Sequence, residues 1–190
     1  MAKKKNEPAL HKPISLPAAL PIFREIEKSN DRAAGIVAVS FVENNLAVVL
    51  LKWLRPLSDK EQEDIFTRQN SLLNSFDAKI QMADVLGIIS GNGLADLRRL
   101  KRIRNLFAHK MEARTFENAE IKAECERLFF PRFIAWAMEI EPEKNLRKRF
   151  EDTAHQLAAR FDMEASKEKP PGPASQTAYD FWSPDMKHDV

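Results

Sequence analysis

Apolar residues recur at helical spacing along most of this chain, and the gaps between those stretches carry helix-capping residues. In "PAALPIFREIEKS", Leu20, Phe23 and Ile26 stand three apart and predict a short helix. Ser29, Asn30 and Asp31 are good N-cap types, so a second helix is expected to start there. It runs to about Leu54 and stops before Pro56. This segment is apolar nearly all round, which predicts the central helix of a bundle. "SDKEQEDIF" opens another short helix, with Ser58 and Glu61 spaced as a capping box. In "NSLLNSFDAKIQMADVLGII", Ser75 is the expected cap and Phe76, Ile80, Ala83 and Leu86 form an apolar face. "SGNG", Ser90 to Gly93, reads as a turn, with a basic helix starting near Leu94. A last pair is expected over residues 117–138, kinked at Pro131, and 143–163.

These elements predict an all-α multi-helix bundle of five to seven helices with no sheet. Residues 1–16 read as a flexible basic arm and 17–163 as a single helical domain. Residues 164–190 have no period and read as a disordered tail, with Tyr179, Phe181 and Trp182 as candidate docking residues for a partner. There is no internal repeat.

Composition narrows the function classes. Lys and Arg number 30 against 28 Asp and Glu, a net charge of +2, which by itself implies neither nucleic acid nor membrane. Cys125 is the single cysteine, so no intramolecular disulfide forms, and no Cys/His set has zinc spacing. No metal and no cofactor are expected. Lys3 to Lys5 are not followed by the apolar stretch of a signal peptide. The run "AAGIVAVSFVENNLAVVLLKWL" imitates a membrane span, but Glu43, Asn44 and Asn45 sit at its midpoint, the costliest depth in lipid. A buried bundle helix and a soluble, cytoplasmic protein are therefore expected.

The strongest local charge lies between Arg98 and Arg114, with seven Lys/Arg and one acid, Glu112. Arg98, Arg99, Lys101 and Arg102 are its candidate anion- or nucleic-acid-binding residues. An ideal helix turns about 100° per residue. Measured from Leu100, Phe107 falls at about −20°, Ile103 at about −60° and Leu97 at about +60°. Arg104 falls at about +40°, inside this core arc, while Arg98, Asn105, His109 and Arg102 fall between about 140° and about 200°. Arg104 then needs a carboxylate, and Glu43, isolated in the central helix, is the expected partner. Arg104, Asn105 and His109 are also candidates for phosphate chemistry. An arginine binds phosphate bidentately, an asparagine orients a phosphate oxygen and a histidine moves a proton near neutrality. A regular helix separates Arg104 from His109 by about 140°, so a site using both needs a break in the helix or a second chain.

The stretch "RNLFAH", Arg104 to His109, resembles the Arg-x4-His signature of the HEPN superfamily, small helical domains that are often dimeric and often ribonucleases. A longer resemblance is to the mannitol operon repressor (MltR-like) family. It is carried by "SNDRAAGIVAVSFVENNLAVVL", "NSLLNSFDAKIQMADVLGIIS" and "LRRLKRIRNLFAH", roughly residues 29–115. The resemblance implies an all-helical, regulatory, homodimeric protein without a helix-turn-helix, acting on a protein partner or RNA. Carried over by position, Arg104, Asn105 and His109 match the HEPN motif, and Glu43 matches an acidic residue of the central helix. Other expectations are plainer. Lys79 reads as solvated or ion-paired, Trp53 and Trp136 as core aromatics, Cys125 as unreactive, and His11, His155 and His188 as exposed.

Overall fold

In a computed structural model, residues 16–54 and 56–168 are described. Among them are eight helices and no strand: α1 (Leu16–Lys28), α2 (Asp31–Trp53), α3 (Asp59–Phe66), α4 (Phe76–Val85), α5 (Gly91–His109), α6 (Ala119–Glu126), α7 (Phe129–Ala137) and α8 (Leu146–Ser166). The all-α bundle is as expected, with one helix more than the expected upper number. Leu16, expected in the arm, opens α1; the rest of the arm, the segment beyond Glu168, His11, His188, Tyr179, Phe181 and Trp182 lie outside the described residues.

Capping residues start the helices where the sequence places them. The Asn30 side chain accepts from Ala33 N–H at 2.9 Å, and Ser75 accepts from Ala78 N–H at 3.1 Å. Ser58 and Glu61 form the reciprocal capping box.

The central position of α2 follows from its composition. Its most extensive contacts are with α8, then α5 and α4. Val39, Val42, Leu46 and Leu50 of α2 are fully buried against Leu97, Leu100, Ile103 and Phe107 of α5 and Phe150, Leu157 and Phe161 of α8. Each such side chain contributes on the order of 1.5–3 kcal/mol. Phe116 bridges two helices, with its ring 5.1 Å from Phe107 and 5.2 Å from Phe150. α2 is the one described helix long and apolar enough to cross a membrane, and 61% of its most apolar stretch is buried inside the protein. One such helix is weak evidence for a membrane span and is what a bundle centre requires.

Charged side chains tie the helix ends to neighbouring elements. Arg147 of α8 donates to the carbonyls of Ile26, Glu27 and Ser29, closing the end of α1, and to Asp31 at 3.1 Å. Lys52 of α2 donates to Ala165 O at the end of α8 at 2.8 Å. Arg149 donates to Cys125 O and Glu126 O at the end of α6. Cations suit helix C-termini, where carbonyls lack partners and the dipole is negative.

Three boundaries differ from expectation. The "SGNG" stretch is not a free turn. Gly91 to Gly93 form the first turn of α5, and Gly91 takes φ +52°, which a glycine adopts without strain. The expected 117–138 helix is two helices. Fully buried Asp96 of α5 accepts from the N–H groups of Phe129 at 2.8 Å and Phe130 at 3.0 Å, so a new helix starts before Pro131. Pro131 then falls in a first turn, where a missing N–H costs nothing. Finally, α8 continues to Ser166, past the expected limit at 163, because Phe161 and Glu164 are still buried and Lys52 anchors the end.

Candidate functional site

α5 presents the candidate residues on an uninterrupted helix. Leu97, Leu100, Ile103 and Phe107 are fully buried, so the core arc lies where the angular reading puts it. Close approach to α2 depends on Gly35, where an added Cβ would lie 2.2 Å from Cδ2 of Phe107.

Arg104 flanks this arc and reaches Glu43, with Nη1 3.8 Å from Oε2. Its guanidinium also lies 5.6 Å from the ring centre of Phe76. The expected Arg104–Glu43 partnership is present, but Glu43 has a closer partner. Lys79 of α4 donates to Oε1 at 2.7 Å, and its side chain is 5% exposed. One carboxylate therefore serves two cations. Lys79 is ion-paired, as one of its two expected readings has it, and is not solvated. The buried Arg104 Nε makes no hydrogen bond among the described residues.

His109 is the last residue of α5 and is exposed. The helix runs unbroken between the two residues, so regular geometry points Arg104 and His109 about 140° apart and roughly 7.5 Å apart along the axis. They do not meet within one chain. Asn105 is half-buried between them. The α5 end is held from α2, where Arg32 Nη2 donates to Ala108 O at 3.3 Å.

The basic stretch is not a bare cationic surface. Arg98 pairs with Asp84 at 3.2 Å, Arg99 with Asp96 at 3.1 Å, and Arg102 with the mostly buried Glu124 at 2.7 Å. Lys101 pairs with Asp77 and Lys110 with Glu120. Six of the seven cations thus face carboxylates, all drawn from outside residues 98–114. The exposed pairs among these add little stability, but all six offset the field that would attract a phosphate backbone.

Two buried charged residues, Asp96 and Lys79, also lie on core arcs of their helices. Asp96 falls at about −40° on α5, inside its core arc. It is fully buried there. Burial pushes its carboxyl above the usual value, opposed by the Phe129 and Phe130 N–H groups and by Arg99. Measured from Phe76 on α4, Lys79 falls at about −60°, between Ala83 at about −20° and Leu86 at about −80°, so its burial was also legible. Beyond its local pair with Glu151, Arg147 carried no comparable signal, because the carbonyls it reaches at the end of α1 lie more than a hundred residues away.

Two further expectations are corrected. His155 is half-buried, not exposed, with its ring 3.9 Å from that of Phe23 in a tilted arrangement. Burial lowers its pKa, against the opposite pull of Glu151, Asp152 and Glu27. Trp136 is 57% exposed and is not a core aromatic, because α7 is too short to bury its whole apolar surface. Trp53 packs against the core, and Cys125 is buried with its thiol pushed up to about 12. No group of three or more His, Cys, Asp or Glu suited to a metal occurs among the described residues. Compared with models of known families, with curated proteins and with solved structures, the chain matches none.

Proposed function

We propose that this chain is a noncatalytic regulatory protein, similar in kind to the mannitol operon repressor family, that works in the cytoplasm as a homodimer through contacts with a partner protein. One observation carries the choice against catalysis. Arg104 is engaged with Glu43 on one side of α5, while His109 stands on the other side. The compensated charge of Arg98, Arg99, Lys101 and Arg102 favours protein contacts over a nucleic-acid backbone.

A second reading is a HEPN-type, metal-independent ribonuclease. The unsatisfied Nε of Arg104 and its long contact with Glu43 favour it, since they leave donors for a phosphate. Arg104 would hold the scissile phosphate, Asn105 would orient an oxygen, and His109 from a second chain would act as acid/base on the RNA 2′-hydroxyl. The deciding experiment incubates pure protein with mixed RNA without metal, beside Arg104→Ala and His109→Ala. The regulatory reading expects no cleavage by any of the three. Cleavage that disappears in both variants would overturn it.

A further inference from the structure

α7 is the most apolar of the short helices, yet much of it is uncovered. Only Pro131 and Ala135 in it are buried. Phe129, Phe133 and Trp136 form a row of rings along it, with centroids 6.0 and 6.1 Å apart. The apolar surface continues past the helix end, where Met138 is 63% and Ile140 54% exposed. Two depressions flank Ile140. One, of about 210 Å³, is walled by Phe130, Ile134 and Ala135 of α7 and by Lys148 and Asp152 of α8. The other, of about 510 Å³, lies between Trp136 and Pro142 with Arg132 at its rim. A cavity of roughly 150 Å³ already accepts a benzene ring, so each depression has room for an aromatic side chain. Arg132 is exposed and has no ion pair among the described residues.

We infer that this face binds residues 179–182 of the same chain, the sequence Tyr179-Asp180-Phe181-Trp182. The aromatic side chains fill the two depressions and Asp180 pairs with Arg132. Reach permits it. From Asp152, which lines the first depression, α8 runs about 21 Å to its end at Ser166. From Glu168 to Phe181 the chain can span up to roughly 43–47 Å, twice what the return along α8 requires. A tether of this kind raises the local concentration to the order of mM, so a contact too weak to join separate chains suffices. The inference does not depend on whether the α5 residues are catalytic.

The test uses the full chain. Ser183→Cys is spin-labelled; the buried Cys125, with its thiol at about 12, stays unlabelled. The indole N–H signals of Trp136 and Trp53 are compared with the label oxidised and reduced. Trp136 should lose its signal while Trp53, on α2 whose end lies beside the end of α8, keeps its own. Adding Phe181→Ser and Trp182→Ser should restore the Trp136 signal. Equal loss at both tryptophans, or loss at neither, would overturn the inference. So would loss that appears when label and isotope are on different, mixed molecules, because the segment would then sit on a second copy.

Discussion

Removing the carboxylate of Glu43 tests the α2–α4–α5 junction directly. In Glu43→Leu, Lys79 keeps its charge but loses its partner, and its side chain is only 5% exposed. Breaking a buried pair from one side costs about 3–5 kcal/mol, because an uncompensated charge stays buried. Glu43 itself is 20% exposed, and Arg104 at 25% can turn toward water, so the expectation sits at the low end, about 3 kcal/mol. For a chain of 190 residues that corresponds to a fall in Tm of roughly 6–12 °C. Urea unfolding followed by circular dichroism measures it. The informative companion is Glu43→Leu with Lys79→Met. Replacing both charges by apolar groups of similar size removes the stranded cation, and such replacements are often neutral or better. The double variant should therefore recover most of the loss, a coupling visible in the full cycle. A Glu43→Leu loss below about 1 kcal/mol would mean that Lys79 reaches water in the folded protein. A double variant as unstable as the single one would refute the stranded-charge argument.

Three other outcomes follow from single contacts. Gly35→Ala gains about 1 kcal/mol of helix propensity, but its Cβ meets the fully buried Phe107 ring at 2.2 Å; calorimetry should show a net loss, in part recovered by adding Phe107→Leu. Asp96→Ala strands the N–H groups of Phe129 and Phe130 and should cost about 1–2 kcal/mol in urea unfolding, with Asp96→Asn losing less because its amide oxygen still accepts. His155, held below its ordinary 6.5 by burial against Phe23, contributes stability that is present above pH 6.5 and lost as pH falls through its folded value. Tm should drop more steeply across that window in the wild type than in His155→Phe, and equal slopes would contradict the burial of the ring.

Periodicity, read as angle, carried much of the fold and of the α5 site. The core arc of α5, the central place of α2 and the Arg104–Glu43 partnership all follow from where side chains point on one regular helix. The errors arise where a long-range contact overrides a local signal. Pro131 suggests a kink, yet the helix restarts because Asp96, thirty-three residues before Phe129, caps the backbone N–H groups of Phe129 and Phe130. Long-range contacts also add what the basic stretch does not show: Asp77, Asp84, Glu120 and Glu124 pair with its cations from other helices. Counting charges along the chain measures only one partner of each pair. The same asymmetry governs the function. A helix can be read to place Arg104 and His109 apart, but no property of one chain's sequence tells which surface a second molecule covers. Among the described residues, Trp136 of α7 and Met138 and Ile140 just after it form a run of exposed apolar side chains that a short helix cannot bury alone. The first surface to test is therefore the α7 face, with residues 179–182 of the same chain as its occupant, because most charges of α5 are already paired within the fold.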